Sequence, residues 1–524
     1  MTTRRTGSCA VGVIQAEIVR AGAQGGRMAF DWSGLSASLN LGVTAFGFVA
    51  HLVVAARALT RANRTPASRA AWVAVIMLAP VVGMVAYLLL GETSIGRARV
   101  ERIENAYKRL PSPDDEANAP RALADNAAAL FELARSINGF HAVGGNRIAV
   151  LGAPDSPADQ PKRDCQAAID RLVADIDEAG ESVHIAFYIW LDDRNGGRVA
   201  DAVAAAARRG VACRVMVDAF GSRAFIAGER WKQLGAAGVK LLRTLDDIHR
   251  LQHMAFSRMD LRDHRKIVVI DNRIAYCGSQ NCADAEFRVK PTYAPWIDLL
   301  LRCEGPVVRQ AQFLFLSGWI PETGEDGLEQ YPDAAVQQRF EPGCIAQAFE
   351  TGPIARRNAM ADMFVACVYA ARRELVVVTP YFVPDESILR AICAAPRRGV
   401  STRIVFPHRN DSWLVGQACR SAYADLLRSG VEVYEYPLGL LHTKAMTLDA
   451  DIALIGSANM DRRSLDLNFE NNLLIADAQV VAAIRQRQDK YLSVSHRVTL
   501  EEVEAWPFAA RLVQNAVAMM SPVL

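Results

Sequence analysis

The chain has 524 residues, which is long for one hydrophobic core and predicts two or three domains. Its formal net charge of +2 is smaller than the basic excess typical of nucleic-acid-binding proteins, so the composition argues against a nucleic-acid partner. Its ten cysteines are scattered without a CxxC pair, which fits neither a zinc site nor a disulfide framework and indicates thiols in a reducing compartment.

The first 31 residues contain no recognisable element. Residues 1–27 are rich in Gly, Ala and Arg and lack the apolar core of a signal peptide, and Met28 is an alternative start site. We therefore interpret residues 1–31 as a leader and leave open whether residues 1–27 are translated. Detection of a peptide from this stretch by mass spectrometry of the native protein would show that they are.

Two apolar runs follow, at 32–56 and 70–91, and neither contains Asp, Glu, Lys or Arg. At a rise of 1.5 Å per residue, each run is long enough as a helix to cross a hydrocarbon core of about 30 Å. The runs predict two transmembrane helices within 32–92, with a kink near Pro80 and Gly83 in the second. The alternative is a buried helical hairpin. Basic residues flank both sides, so the positive-inside rule gives no orientation.

The rest of the chain divides into a linker and two repeats. Residues 93–140 are predicted to be a juxtamembrane linker, because Pro, Asp and Ala dominate its centre. We predict a first repeat at 141–320 and a second at 346–524. The connector between them, 321–345, is rich in Pro, Gly and acids.

Each repeat contains two strand-like runs separated by an amphipathic stretch that ends in Arg-Arg-Gly. The runs lie at 183–190 and 211–218 in the first copy and at 375–384 and 400–407 in the second. A strand, a helix capped by glycine and a second strand form a βαβ unit. The pattern predicts an α/β protein with two similar halves, each a mixed sheet flanked by helices.

Both repeats then carry one string of polar residues with identical spacing. Its members are His264, Lys266, Asp271, Ser279 and Asn281 in the first copy and His442, Lys444, Asp449, Ser457 and Asn459 in the second. His and Lys are two residues apart on a predicted strand, so their side chains share one face. Two such sets in a duplicated frame indicate a site rather than a solvated surface.

The residue types in this string suit a phosphate ester. The lysine ammonium can donate to non-bridging phosphate oxygens, and the Gly-Ser-x-Asn turn offers hydroxyl, amide and backbone donors to the same anion. The aspartate at the end of the strand is predicted to order the site and balance its cations. We therefore predict His, Lys and Asp as catalytic residues, and the Ser and Asn of each turn as phosphate ligands.

Two further carboxylates are candidates for orienting the histidines. A histidine that acts as a nucleophile needs an acceptor to fix its far ring nitrogen. Asp298 follows the first histidine by 34 residues, and Glu470 follows the second by 28. Either carboxylate could instead be an ordinary surface acid.

The duplicated HxKxxxxD motif resembles the phospholipase D superfamily. The two apolar runs, the sequence PYFVPDE at 380–386, LLHTK at 440–444 and SLDLNFE at 464–470 resemble the bacterial cardiolipin synthases within it. The resemblance extends from about residue 43 to the carboxyl terminus. It implies that two phosphatidylglycerol molecules give cardiolipin and glycerol through a phosphohistidine, with neither metal nor cofactor because the motif lysines supply the positive charge.

The same resemblance implies two different roles for the histidines. One attacks phosphorus, and the other protonates the departing glycerol and then deprotonates the second lipid. We prefer His264 as the nucleophile and His442 as the acid/base, and the reverse assignment stays open because the motifs are symmetric. A hydrolase that releases phosphatidic acid is the main alternative, because the same residues serve both reactions. A nuclease is disfavoured by the charge.

The implied partners are membrane phospholipids in a bilayer, with phosphatidylglycerol as donor and acceptor. The implied location is the cell inner membrane, as a multi-pass protein with its catalytic body in the cytoplasm. The apolar carboxyl end, 506–524, is predicted to be an interfacial helix or a helix packed on the body. The sequence does not indicate an oligomeric state.

Overall fold

The computed structural model describes residues 32–61, 66–91, 95–113, 123–153, 156–247, 260–325 and 338–519, and it describes side chains from residue 44 onward. The predicted leader, 1–31, and residues 326–337 of the predicted connector lie outside the described residues.

The helices of the described segments alternate with strands through most of the chain. They are α1 (Trp32–Thr60), α2 (Pro66–Leu78), α3 (Pro80–Leu90), α4 (Arg97–Arg109), α5 (Asp125–Asn138), α6 (Lys162–Asp177), α7 (Arg194–Arg208), α8 (Arg223–Ala227), α9 (Glu229–Ala236), α10 (Val307–Thr323), α11 (Ala359–Ala370), α12 (Glu386–Arg397), α13 (Trp413–Ser421), α14 (Tyr423–Arg428), α15 (Arg462–Asp466), α16 (Ala478–Val494), α17 (Leu500–Glu504) and α18 (Phe508–Met519).

The strands fall into two series of similar order. The first series is β1 (Val143–Val150), β2 (Ser182–Phe187), β3 (Ala212–Asp218), β4 (Lys240–Thr244), β5 (Lys266–Ile270), β6 (Ile274–Gly278), β7 (Trp296–Ile297) and β8 (Leu300–Glu304). The second is β9 (Cys344–Thr351), β10 (Glu374–Val378), β11 (Phe382–Val383), β12 (Ser401–Pro407), β13 (Glu432–Tyr436), β14 (Leu440–Leu441), β15 (Ala445–Leu448), β16 (Ile452–Gly456), β17 (Met460–Asp461), β18 (Glu470–Ala476) and β19 (His496–Val498).

The two apolar runs form α1, α2 and α3, which pack together around Trp72, Ile76 and Tyr87. Within the described part of the chain, no helix is both long and apolar enough to cross a membrane, so the predicted transmembrane hairpin is wrong. The second run is divided at Ala79, before Pro80, into helices of 13 and 11 residues. Such helices are only about 16–20 Å long. Proline has no backbone N–H and interrupts a helix at this point.

Two helices lie within the range predicted as a linker. Helix α4 packs against α10, and α5 packs against α11 and β9. Leu130, Phe131 and Ala134 of α5 are buried in the core of the second half. These helices therefore connect the amino-terminal segment to the body through packed apolar side chains.

The body contains one mixed sheet of fifteen strands in the described segments. Its order is β19-β13-β12-β10-β15-β16-β18-β9-β1-β8-β6-β5-β2-β3-β4. Strands β2, β3 and β4 pair in parallel, and so do β10, β12 and β13, while the strands nearer the middle pair antiparallel. The prediction of two similar α/β halves with mixed sheets is therefore confirmed. The two sheets are also joined, because β1 pairs antiparallel with β9.

The helices cover both faces of this sheet around three large apolar clusters. One cluster fills the first half, one fills the second, and one lies beneath α10 and α16 at the junction. The Arg-Arg-Gly sequences end α7 and α12 as predicted, with Gly210 at φ 94° and Gly399 at φ 83°. This left-handed conformation favours glycine and turns the chain directly into β3 and β12.

Candidate active site

One cavity of about 430 Å³ lies between the two halves, and His264 and His442 both line it. His264 lies two residues before β5, and His442 lies three residues before β15. The two motifs are therefore brought to a single cavity, as the duplicated pattern predicts for a shared phosphodiester.

His264 is held by the second half of the molecule. Its backbone N–H donates to the carbonyl of Phe469 at 2.9 Å. The Nδ1 atom of His264 lies 2.7 Å from Oε2 of Glu470, which is the residue after Phe469. This carboxylate is fully buried. The contact fixes the ring and leaves Nε2 as the nitrogen that can face a substrate.

His442 is held in the same way by the first half. Its N–H donates to the carbonyl of Ile297 at 2.8 Å, and its Nδ1 lies 2.7 Å from Oδ1 of Asp298. Strands β7 and β14 pair in parallel directly before these residues and set the register. Each half thus supplies the carboxylate that orients the other half's histidine, which gives both acids a contact suited to the predicted orienting role.

The serines of the two turns hold these carboxylates. Ser457 hydrogen-bonds Glu470, and Ser279 hydrogen-bonds Asp298. Asn468 also donates to Oε1 of Glu470 at 3.1 Å. In the structure the serine hydroxyls contact these acids, and their predicted role as phosphate ligands stays a prediction.

The asparagines of the same turns do reach the cavity. Asn281 and Asn459 both line it. In the described structure the Oδ1 atom of each is buried without a hydrogen-bond partner, while Nδ2 of Asn459 lies 3.3 Å from the hydroxyl of Ser464. Both side chains are placed where an amide could contact a substrate, so their predicted role as phosphate ligands stays a prediction.

The two lysines lie beside the histidines and are buried. Lys266 Nζ donates to the carbonyl of His264 at 2.9 Å, and Lys444 Nζ donates to that of His442 at 2.7 Å. Lys444 Nζ also lies 2.9 Å from Nε2 of His442. Burial lowers the pKa of Lys266 to about 8 and that of Lys444 to about 7. Both can still carry a positive charge at neutral pH.

The protonation states of the site follow from its burial. Burial lowers the pKa of His264 to about 4 and also lowers the pKa of His442. Burial acts to raise the pKa of Glu470 and of Asp298, but the facing histidine and lysine outweigh it, so both carboxyl pKa values are below their usual range. At neutral pH the site therefore holds neutral imidazoles against ionised carboxylates.

The aspartates of the motif lie away from the histidines, at the opposite ends of β5 and β15. Asp271 accepts hydrogen bonds from the backbone of residues 180–182, and Asp449 accepts from the backbone of residues 372–374. Both have a positive φ, of 51° and 50°. These contacts hold the start of β2 and β10 and do not reach the imidazoles, so the predicted catalytic role of the two aspartates stays a prediction without a contact to support it.

Three aromatic residues of the cavity were not among the predicted site residues. The Tyr188 ring lies 4.9 Å from that of His264, and the Tyr381 ring lies 6.4 Å from that of His442. Trp296 lies 4.7 Å from His442. The tyrosines follow the equivalent strands β2 and β10, so aligning the repeats at the ends of these strands would have identified them.

Comparisons with known proteins agree with this geometry. The family described as "Cardiolipin synthase, PLD-like domain" matches residues 172–291 and 365–492, and "Phospholipase_D-nuclease N-terminal" matches 49–92. The chain is 36% identical over 482 residues to cardiolipin synthase A of Cronobacter sakazakii, covering 90% of this chain and 96% of that protein. It is 36% identical over 478 residues to cardiolipin synthase A of Pectobacterium carotovorum, with the same coverage.

A solved structure supports the fold. The crystal structure of phosphatidylserine synthase from Haemophilus influenzae matches with a TM-score of 0.51 at 14% identity, covering 81% of this chain and all of that chain. The family match and the curated relatives define a phosphatidyltransferase of the phospholipase D superfamily. Within that class, the chain belongs to the cardiolipin synthases.

Proposed function

We propose that the chain joins two phosphatidylglycerol molecules into cardiolipin and glycerol through a covalent phosphohistidine. The observation that carries the proposal is that both imidazoles line one cavity and that each is held by a carboxylate from the other half. Two oriented imidazoles on one phosphodiester allow one to attack phosphorus while the other handles protons.

The contacts of the two rings support His264 as the nucleophile. Nε2 of His442 is 2.9 Å from the Lys444 ammonium, which can occupy its lone pair and share a proton with it. Among the described residues, no side chain hydrogen-bonds Nε2 of His264. A neutral imidazole with an accessible lone pair suits attack on phosphorus, whereas an imidazole that shares a proton with an ammonium suits general acid catalysis.

The proposed reaction balances over two displacements. Nε2 of His264 forms a bond to phosphorus, the bond from phosphorus to the glycerol oxygen breaks, and the departing oxygen takes the proton that His442 shares with the Lys444 ammonium. A terminal hydroxyl of the second phosphatidylglycerol then gives its proton to His442 and attacks phosphorus, which breaks the bond to His264. Lys266 and Lys444 stabilise the phosphate charge in both steps.

The surface beside the cavity supports action on lipid in a bilayer. Asp411 lines the cavity, and α13 begins two residues later at Trp413, whose side chain is 60% exposed. Helix α18 packs on α13 and exposes Phe508 at 73% and Leu512 at 58%. An amphipathic helix that presents large apolar side chains can lie in a membrane interface. We propose that α13 and α18 bring the cavity to the bilayer.

A product assay tests the proposed function. Purified full-length protein is incubated with vesicles of phosphatidylglycerol, and lipids and glycerol are quantified by chromatography. We expect cardiolipin and glycerol in equal amounts from the wild type and neither product from His264→Ala. Formation of phosphatidic acid in place of cardiolipin would show a hydrolase and overturn the proposal.

A further inference from the structure

Three arginines lie together on one wall of the active-site cavity, and the duplicated motif contains none of them. Arg223, Arg262 and Arg463 all line the cavity. The guanidinium carbon of Arg262 is 4.3 Å from the centre of the Phe220 ring, and that of Arg223 is 4.8 Å from the same centre. One aromatic side chain thus holds two cations close to each other.

This arginine wall, formed by Arg223, Arg262 and Arg463, adjoins the catalytic residues. Arg262 hydrogen-bonds the side chain of Tyr188, whose ring is 4.9 Å from that of His264. Arg463 belongs to α15, and its side chain lines the cavity. A group bound to these guanidinium groups would therefore lie within the same cavity as the reacting phosphate.

Two acidic residues lie near the arginine wall. Arg463 forms an ion pair with Asp260 at 3.1 Å. The buried carboxylate of Asp218 is taken up by backbone N–H groups, including those of Phe220 at 3.0 Å and Gly221 at 2.8 Å. Grouped guanidinium groups repel one another, and a bound anion relieves that repulsion.

Elsewhere in the lining of the cavity, a lysine and an aspartate are paired with each other. Lys290 pairs with Asp411 at 2.6 Å, and the hydroxyl of Tyr381 donates to the same carboxylate at 2.7 Å. Asp461 also lines the cavity, but it caps the helix that carries Arg463 and lies near that guanidinium group. Because Asp411 already engages Lys290, an anionic group of a ligand is favoured at the three grouped arginines instead.

The substrate chemistry then identifies the anion. Phosphatidylglycerol carries one phosphate, and in the donor this phosphate lies at the histidines and the buried lysines. A second anion site in the same cavity has no counterpart on the donor. We infer that the arginine wall binds the phosphodiester of the second lipid, the acceptor, while its terminal hydroxyl reaches the phosphohistidine. The two phosphates of the product are separated only by one glycerol, so both fit one cavity.

This inference rests on the proposed function and extends it to the choice of acceptor. Water and free glycerol carry no phosphate and gain nothing from the arginine wall. An acceptor lipid gains charge-assisted hydrogen bonds, which raises its occupancy near the intermediate. The wall therefore favours transfer to a lipid over hydrolysis.

The test compares an acceptor with a phosphate to one without. The double variant Arg262→Gln, Arg463→Gln is assayed with phosphatidylglycerol vesicles for cardiolipin, for phosphatidic acid, and for incorporation of labelled glycerol into phosphatidylglycerol. We expect cardiolipin formation to fall by about tenfold or more, glycerol incorporation to change less than about threefold, and phosphatidic acid to rise as a share of product. Arg262→Lys, which keeps the charge, should recover part of the cardiolipin formation.

The controls separate the competing explanations. Arg198→Gln, which removes an exposed cation paired with Asp170 outside the cavity, should behave as the wild type. An equal loss of cardiolipin formation and glycerol incorporation in the double variant would overturn the acceptor site in favour of a general effect on catalysis or folding. A matching loss of vesicle binding in a sedimentation assay would overturn it in favour of bilayer attachment. Absence of cardiolipin from the wild type would instead refute the proposed function itself.

Discussion

Arg265 and Thr443 occupy the same position in the two motifs, between His and Lys, but they make different contacts. The buried Arg265 guanidinium donates to Asp263 at 2.8 Å and to Glu350 at 3.1 Å. The hydroxyl of Thr443 lies 3.2 Å from that of Tyr491. An ionic network thus supports the first histidine, whereas a neutral hydrogen bond supports the second.

The comparison teaches how one repeated sequence can provide two chemical roles. The reacting groups are the same in both halves, and so is the geometry of each imidazole on its carboxylate. The surroundings differ, in the residue between His and Lys, in the contact of Lys444 with His442, and in the arginine wall beside Tyr188. The identity of each histidine's role is therefore a property of its neighbours.

The sharpest way to break the symmetry is to remove one histidine at a time. We expect His264→Ala and His442→Ala each to lower turnover by at least about 10⁴-fold, because each removes a group that reacts in both steps. With labelled phosphatidyl donor and rapid quenching, His442→Gln should retain label on the peptide that contains His264. Label found only on the peptide that contains His442 in the wild type would reverse the assignment.

The next test changes the carboxylate that each half supplies to the other half's histidine. We expect Glu470→Gln and Asp298→Asn to lower turnover by up to about 10⁴-fold, because an amide holds the neutral imidazole less firmly and does not stabilise its protonated form. The measurement is turnover together with the thermal midpoint of unfolding for each variant. Near-normal turnover of either variant would remove that acid from the mechanism.

The residues between His and Lys should differ most in stability. Arg265→Met leaves Asp263 and Glu350 buried without their shared cation, and we expect the free energy of unfolding to fall by about 3–5 kcal/mol. Thr443→Val removes one neutral hydrogen-bonding group, and a loss of about 1 kcal/mol is expected. Denaturant titration measures both. Equal losses would show that the two supports are equivalent.

The pH profile should report the buried lysines. The pKa of Lys266 is lowered to about 8 and that of Lys444 to about 7, so their positive charge is lost as the pH rises through this range. His264, with a pKa near 4, becomes protonated and unreactive only in acid. We expect kcat/KM to fall about tenfold per pH unit above about 7 and more steeply above about 8, and to fall about tenfold per pH unit below about 4. An alkaline limb at pH 10 or higher would contradict the lysine values.

Much of the fold could be predicted because the same pattern of strands and helices occurs in both repeats. Alternating apolar strands, helices capped by Gly210 and Gly399, and identical motif spacing indicated two α/β halves. The joining of the two sheets through β1 and β9 could not be predicted, since edge pairing depends on how the halves dock. The transmembrane prediction treated the second charge-free run as one helix. In the structure this run is divided before Pro80 into two shorter helices.

The site was predicted in part for similar reasons. His and Lys were identified by their two-residue spacing, which strand geometry makes meaningful. The same geometry counts against a contact between Asp271 and the imidazole, because Asp271 follows the five residues of β5 and lies at its far end. The pairing of Glu470 with His264 could not be predicted, because it depends on contact between the two halves. The arginine wall could not be predicted either, because its residues are not part of a repeated pattern.

The exchange of carboxylates between the halves makes them inseparable as a working unit. A fragment with only the first repeat would contain His264 but lack Glu470, and the complementary fragment would contain His442 without Asp298. Neither fragment alone would contain a histidine together with its carboxylate. A substitution in one copy also alters the reactivity of the other copy's imidazole, so the duplicated segments are bound to evolve as a pair.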